Sequence, residues 1–338
     1  MLVLVVWMSI RSRKELRGRS RWLLYPVFAV LLLASIGGVY ETLGEAMEPN
    51  VYPIAGELID VGGHSMHLRC TGLGSPTVVL EPGASEMSSA LGWIEPAVAR
   101  DTRVCVYDRA GRGSSEPSDV PQDATQIATD LHRLLGLGNV PGPYVLAGHS
   151  FGGFYVLTFA ALYPDDVAGM VLLDSAAPVP APAESSPSGE KGSGLLEHIS
   201  ALVSSSARLG VGRVLSRLDY DSLPPQSRDE ARVSAATAKH MQSTVDEYLQ
   251  ANASSNEAAE LTDFADKPLF VLTAGIGSTA SWMTNQDHLA TLSSNSAHRV
   301  IDGAVHIALL HDQQYAADST QAILDVVSSV RTDTPLDG

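Results

Sequence analysis

The stretch PYVLAGHSFGGFYVLTFA, residues 143–160, interrupts continuous apolar sequence with Gly148-His149-Ser150-Phe151-Gly152-Gly153. Strand-like sequence leads directly into these residues and helix-like sequence leads directly out, which is the setting of a nucleophile elbow. The turn is so tight that side chains flanking the serine would collide, which accounts for Gly148 and Gly152. It also holds the Ser150 hydroxyl clear of the sheet at a helix N-terminus, where backbone N–H groups stabilise negative charge. The chemistry open to such a serine is nucleophilic attack on a carbonyl, provided that a base takes its proton. Ten histidines are available for that task.

Beyond residue 50, short β-like runs alternate with helical ones. Residues 57–61 and 66–70, joined by Gly62-Gly63, read as a hairpin. Further strands are expected at 77–83, 103–107, 143–148, 168–174, 267–275 and 298–303. Between them, residues 123–138 place Ile127, Leu131, Leu134 and Leu135 at helical spacing and stop at glycine. A last amphipathic helix carries Tyr315, Ile323, Leu324 and Val327. Apolar strands alternating with helices indicate an α/β fold, with a mostly parallel sheet of eight strands covered on both faces. The rhythm breaks after the strand at 168–174. Residues 176–194 are rich in Pro, Ser and Gly, and two or three helical segments follow, the first with Leu195, Leu196, Ile199, Leu202 and Val203 at three- and four-residue spacing. The expected organisation is a basic arm at 1–21, an apolar segment at 22–40, an α/β core from 51–175 and 263–331, and an inserted helical cap at 176–262.

The formal net charge is −16, unevenly spread. Residues 1–21 hold six basic residues and one acid, which leaves 16 basic against 37 acidic residues in the rest. A body that acidic repels nucleic acid and anionic lipid surfaces, and no nucleic-acid role is expected. Residues 22–40 carry no charge, and nineteen helical residues roughly cross a hydrocarbon core. Arginines before this run, with Glu41, Glu45 and Glu48 after it, predict a signal-anchor with the body outside the cytoplasm. Secretion after cleavage, with small residues near Ala34 to Gly38 suiting a peptidase, is the alternative. An outside location permits a disulfide between Cys70 and Cys105, and two buried free thiols are the other reading.

The elbow GHSFGG, with YDRAGRGSSEP upstream and GAVH near the C-terminus, resembles the α/β-hydrolase superfamily, most closely its serine-nucleophile, cap-bearing branch. The resemblance covers roughly residues 57–330. It implies that the second and fourth strands are sheet neighbours, which places Cys70 and Cys105 on adjacent strands. It implies a base directly after the last strand, where His306 stands. The orienting acid usually follows the seventh strand, but residues 271–282 contain none. Some relatives carry it after the sixth strand, where Asp174 stands, and Asp287 is the next candidate. The oxyanion hole is implied to use the N–H of Phe151 and, from the loop after the third strand, that of Ala84 in LEPGAS. Asp108 and Arg109 resemble residues that brace the active-site loops.

These residues point to a serine hydrolase that cleaves a carboxylic ester, lactone or thioester, of a small molecule or a lipid, through an acyl-enzyme. No cofactor and no metal are expected. A non-catalytic ligand-binding protein on the same fold, and a C–C bond or amide hydrolase, are the alternatives.

Overall fold

Apolar runs separated by glycine-, proline- and aspartate-bearing turns form a single sheet. A computed structural model describes residues 7, 11, 24–51, 55–178 and 211–336. Eight strands lie in the order β1-β2-β4-β3-β5-β6-β7-β8: β1 Glu57–Asp60, β2 Ser65–Thr71, β3 Thr77–Glu81, β4 Val104–Tyr107, β5 Tyr144–His149, β6 Val167–Leu173, β7 Leu269–Ile276 and β8 Ser296–Val305. The pairs β1–β2 and β2–β4 are antiparallel, and every later pair is parallel. Central strands β3 to β6 are buried nearly throughout, as parallel strands covered on both faces must be.

The first helix, α1, is Leu24–Val51. Within it Tyr25–Gly44 is long and apolar enough to cross a membrane. The uncharged run was expected to end at Tyr40, and the helix continues for eleven residues beyond it. Glutamate, alanine and methionine there are good helix formers, so charge ends the lipid-compatible stretch without ending the helix. Apart from Trp7 and Arg11, the basic arm lies outside the described residues, as does the helical pattern expected from Leu195 to Val203.

The core helices are α2 Ile94–Val98, α3 Ala124–Leu137 and α4 Gly152–Leu162. The α3 helix starts at Asp123, whose side chain accepts from Gln126 N at 2.8 Å, and it buries Ile127, Leu131, Leu134 and Leu135 as its spacing predicts. It packs with α4 against one face of the sheet. Between β6 and β7 come α5 Val211–Leu215, a 3-10 turn at Ser216–Leu218, α6 Pro225–Ala235, α7 Ala238–Leu249 and α8 Ala251–Ala258. After β7 follow α9 Ala280–Ala290, then β8, then α10 Ala308–His311 and α11 Gln313–Thr332. Ile323, Val326 and Val327 of α11 close the other face, with α2.

Cys70 and Cys105 stand directly opposite each other on antiparallel β2 and β4, and a disulfide joins them. It closes a loop of sequence separation 35 that contains β3 and α2. Closing a loop of that length in the unfolded chain is worth roughly 3–4 kcal/mol. Replacing both cysteines by alanine is therefore expected to lower the unfolding free energy by that order, read from urea midpoints at unchanged slope.

Candidate active site

Three residues with positive φ cluster at the C-terminal edge of the sheet: Ser150 at 53°, Asp174 at 43° and Ser85 at 60°. Left-handed backbone is costly for residues with a Cβ, and several such residues together mark a functional edge. Ser150 sits between the end of β5 and the start of α4. A Cβ at Gly148 would stand 2.6 Å from Gly152 O, and one at Gly152 would stand 2.5 Å from Glu81 O. Glycine is required at both positions, for the reason the tight turn predicts. The turn is fixed by Ser150 N donating to Leu173 O at 3.2 Å and by Gly153 N and Ala176 N donating to Ser150 O at 2.9 and 2.8 Å.

His306 follows β8 directly, and its side chain is 44% exposed. Its Nδ1 lies 2.6 Å from Oδ2 of Asp174, which is buried at the end of β6. Since a carboxylate only accepts, Nδ1 carries the proton and Nε2 is left as the basic nitrogen. Asp287, the other candidate acid, lies on α9, is 70% exposed and pairs with His298 Nδ1 at 2.9 Å. The structure therefore brings His306 to Asp174 and not to Asp287. No hydrogen bond joins the Ser150 hydroxyl to His306. His149, the residue before Ser150, contacts His306. Its ring centroid lies 4.5 Å from that of His306, and its Nε2 donates to His306 O at 3.2 Å. Burial, then the neighbouring His306, hold the His149 ring well below the usual imidazole range, so it stays neutral.

The candidate oxyanion donors lie at the same edge. Phe151 N and Ala84 N make no backbone hydrogen bond among the described residues. A Cβ on Gly83 would stand 3.0 Å from Ser150 Cβ, so this glycine lets the β3 loop close on the serine.

Two features go beyond the sequence reading, which gave Asp108 and Arg109 only as braces of the active-site loops. The first is Trp282 on α9, whose Nε1 donates to the second Asp174 oxygen, Oδ1, at 2.7 Å. Asp174 is thereby gripped from both sides. The loop after β7 lacks an acid, and the helix that follows it contributes this indole to the acid of the neighbouring strand. Trp282→Phe is expected to lower kcat roughly tenfold or more, the worth of one hydrogen bond to a buried charge, with KM little changed.

The second is a buried charge network beneath the β3 loop. Arg109 donates through Nε to Glu247 Oε1 at 2.8 Å, through Nη1 to Pro82 O at 2.9 Å and through Nη2 to Gly83 O at 2.8 Å. Arg109 Nη1 also pairs with Glu81, whose other oxygen accepts from Tyr107. Glu247 comes from α7 and also accepts from Ser85 N at 3.1 Å and Arg112 Nη2 at 2.6 Å. Asp108 takes His67 Nδ1 and the N–H groups of Ser88 and Ser114. Burial pushes the Glu81 carboxyl up to about 7, against the pull of Arg109 and Tyr107. Because the folded state holds this proton more tightly, Glu81 contributes stability below about 4.5, and that contribution is lost as pH rises through about 7. The urea midpoint is expected to fall across that window, and Glu81→Gln is expected to flatten the fall.

A pocket of about 530 Å³ opens beside His306, lined by Asp174, Ile276, Gly277, Ser278, Thr279, Trp282, Val305 and His306. Among the described residues no three His, Cys, Asp or Glu side chains group as a metal site.

The model of the alpha/beta hydrolase fold family matches residues 76–313, and the chain belongs to that family. An uncharacterised protein of Schizosaccharomyces pombe is 27% identical over 224 residues, which cover 65% of this chain and 40% of that protein. The chain spans less than half the length of the curated relatives it matches first. Among solved structures, an enol-lactonase from Burkholderia xenovorans LB400 is 21% identical with a TM-score of 0.59, over 80% of this chain and 100% of that one. A thermophilic esterase from Thermogutta terrifontis is 22% identical with a TM-score of 0.56, over 79% and 94%. At these identities the likeness is one of fold.

Proposed function

We propose that this chain is a serine hydrolase that cleaves a carboxylic ester, lactone or thioester, of a small molecule or a lipid, through an acyl-enzyme. The observation that carries the reading is the 2.6 Å contact of His306 Nδ1 with buried Asp174, at the edge where the Ser150 elbow and Gly83 meet. His306 Nε2 takes the Ser150 proton as the hydroxyl attacks the carbonyl carbon. The resulting oxyanion accepts from the N–H groups of Phe151 and Ala84. His306 then gives its proton to the leaving group, and the acyl group stays on Ser150. Water, deprotonated by the same Nε2, releases the acid and restores the serine. Residues 51–175 and 263–331 are the core in this reading, with residues 176–262 inserted between them as a cap. In this reading helix α1 anchors the body in a membrane, and the disulfide and the arginine-rich arm support a body on the oxidising, non-cytoplasmic side.

A fluorophosphonate probe applied to the full chain in detergent, followed by peptide mapping, tests the reading. A single adduct on Ser150 that disappears in His306→Ala is the expected result. The absent Ser150–His306 hydrogen bond favours one rival, a ligand-binding protein on the same fold. A folded chain that takes no label would establish that rival.

A further inference from the structure

The inserted helices carry a second concavity, of about 470 Å³, that shares no lining residue with the His306 pocket. Its walls include Arg213, Arg217 and Arg232 together with Ser216, Asp229 and Val233. Arg232 is held by Asp221 Oδ1 at 2.7 Å and Asp219 O at 2.9 Å, and Asp229 is taken by Arg228 Nε at 2.9 Å. Three guanidinium groups at one site stand out in a body with 37 acidic residues. On the adjoining turn, Val214, Leu215 and Leu218 are 59, 56 and 79% exposed. Val214 and Leu215 close α5 and Leu218 closes the 3-10 turn after it, with Arg213 and Arg217 interleaved among them.

The position of this edge relative to α1 identifies what covers it. The guanidinium carbons of Arg213 and Arg217 stand 5.9 and 5.7 Å from the ring centroid of Tyr40. Gly44 packs so closely on Arg213 that a Cβ there would run into the guanidinium. Tyr40 ends the uncharged run, and Gly44 ends the span long and apolar enough to cross a membrane. From Tyr40 to Gly44 an α-helix rises about 6 Å. On the anchor reading of α1, these contacts set the arginines near the depth where the span leaves the hydrocarbon. Tyrosine and arginine are the residues that settle at such a boundary, and arginine pairs with phosphate through two parallel hydrogen bonds.

We infer that the 213–218 edge of the cap docks on the bilayer that holds α1, with Val214, Leu215 and Leu218 entering the acyl boundary and the arginine pocket taking lipid phosphate. This rests on the anchor reading of α1. A short apolar edge interleaved with arginines is too small to bind a membrane alone, but the tether supplies the local concentration. The docked cap then stands at the membrane surface with a fixed orientation.

The test uses the full chain in phosphatidylcholine vesicles, with a nitroxide attached at Leu218→Cys and collisions with oxygen and with a water-soluble nickel complex measured by electron paramagnetic resonance. The native cysteines are bonded to each other, so labelling is specific to the new site. Val30→Cys, inside the span, is the reference. The expected result is oxygen favoured over nickel at both positions, with the same outcome at Leu215→Cys in case one variant misfolds. Arg217→Glu in the Leu218→Cys background is expected to reverse the order at 218, and an unchanged order would overturn the phosphate contact. Nickel favoured at 218 and 215 with oxygen favoured at 30 would overturn docking and leave the anchor standing. Nickel favoured at 30 would overturn the anchor and the docking with it.

Discussion

Asp174→Asn is expected to lower kcat by about ten-thousandfold, while Asp287→Asn leaves turnover where it was. Asp174 is buried, and its Oδ2 accepts from His306 Nδ1. Asparagine can keep an oxygen toward Trp282 Nε1 but then turns its NH2 group toward His306. Two donors cannot face each other, so the imidazole moves its proton to Nε2 and offers no lone pair to the serine. Shape and burial are nearly unchanged, so the fold should survive and KM should hold while kcat falls. Asp287 is a solvent-facing partner of His298, and exposed pairs of that kind contribute little. Steady-state kinetics of both variants on an activated ester, with thermal unfolding as the folding control, make the comparison. A large loss at Asp287 and none at Asp174 would reverse the assignment.

That pair of residues also marks how far sequence alone reaches. Ser150 was legible because the elbow is local: a strand signal before it, a helix signal after it and the glycines that relieve a collision all lie within a few residues. The strands were legible along the chain because a buried parallel strand reads as an unbroken apolar run, and the adjacency of β2 and β4 was implied by the resemblance alone. The partner of His306 was not, because Asp174 and Asp287 are each a plausible distance along the chain, and the choice depends on how β6, β7 and β8 bring their ends together. Trp282 had a faint signal, the missing acid after β7, but nothing in its neighbourhood says that its indole crosses to the next strand. His149 lies in the elbow itself, one residue before Ser150. Its contact with the backbone of His306 comes from a loop over 150 residues downstream. Arg109 was read as bracing the loops, yet its main partner, Glu247, stands in a helix whose position no local pattern specifies.

Glu247→Ala is expected to carry the largest cost to stability together with a loss of turnover. Arg109 and Arg112 are both fully buried, and each donates to this one carboxylate from an opposite side. Truncation leaves two guanidinium groups in the interior with less counter-charge, a change worth about 3–5 kcal/mol. It also releases Ser85 N, which holds the β3 loop to α7. Arg109 grips the carbonyls of Pro82 and Gly83, and the second belongs to the peptide unit that carries the N–H of Ala84, the proposed oxyanion donor. If the loop relaxes, an oxyanion donor is displaced and kcat falls about a hundredfold or more, with KM less affected. Acid should reproduce part of the effect without mutation. Burial alone would raise the Glu247 carboxyl, but Arg109 and Arg112 outweigh it and hold the group below its ordinary 4.5. Its contribution is therefore present above about 4.5 and lost as pH falls below that, opposite in sign to that of Glu81. The urea midpoint of the native chain should drop on acidification, and that of Glu247→Gln should drop less. Parallel curves would mean that the network holds the cap to the core without depending on the charge of Glu247.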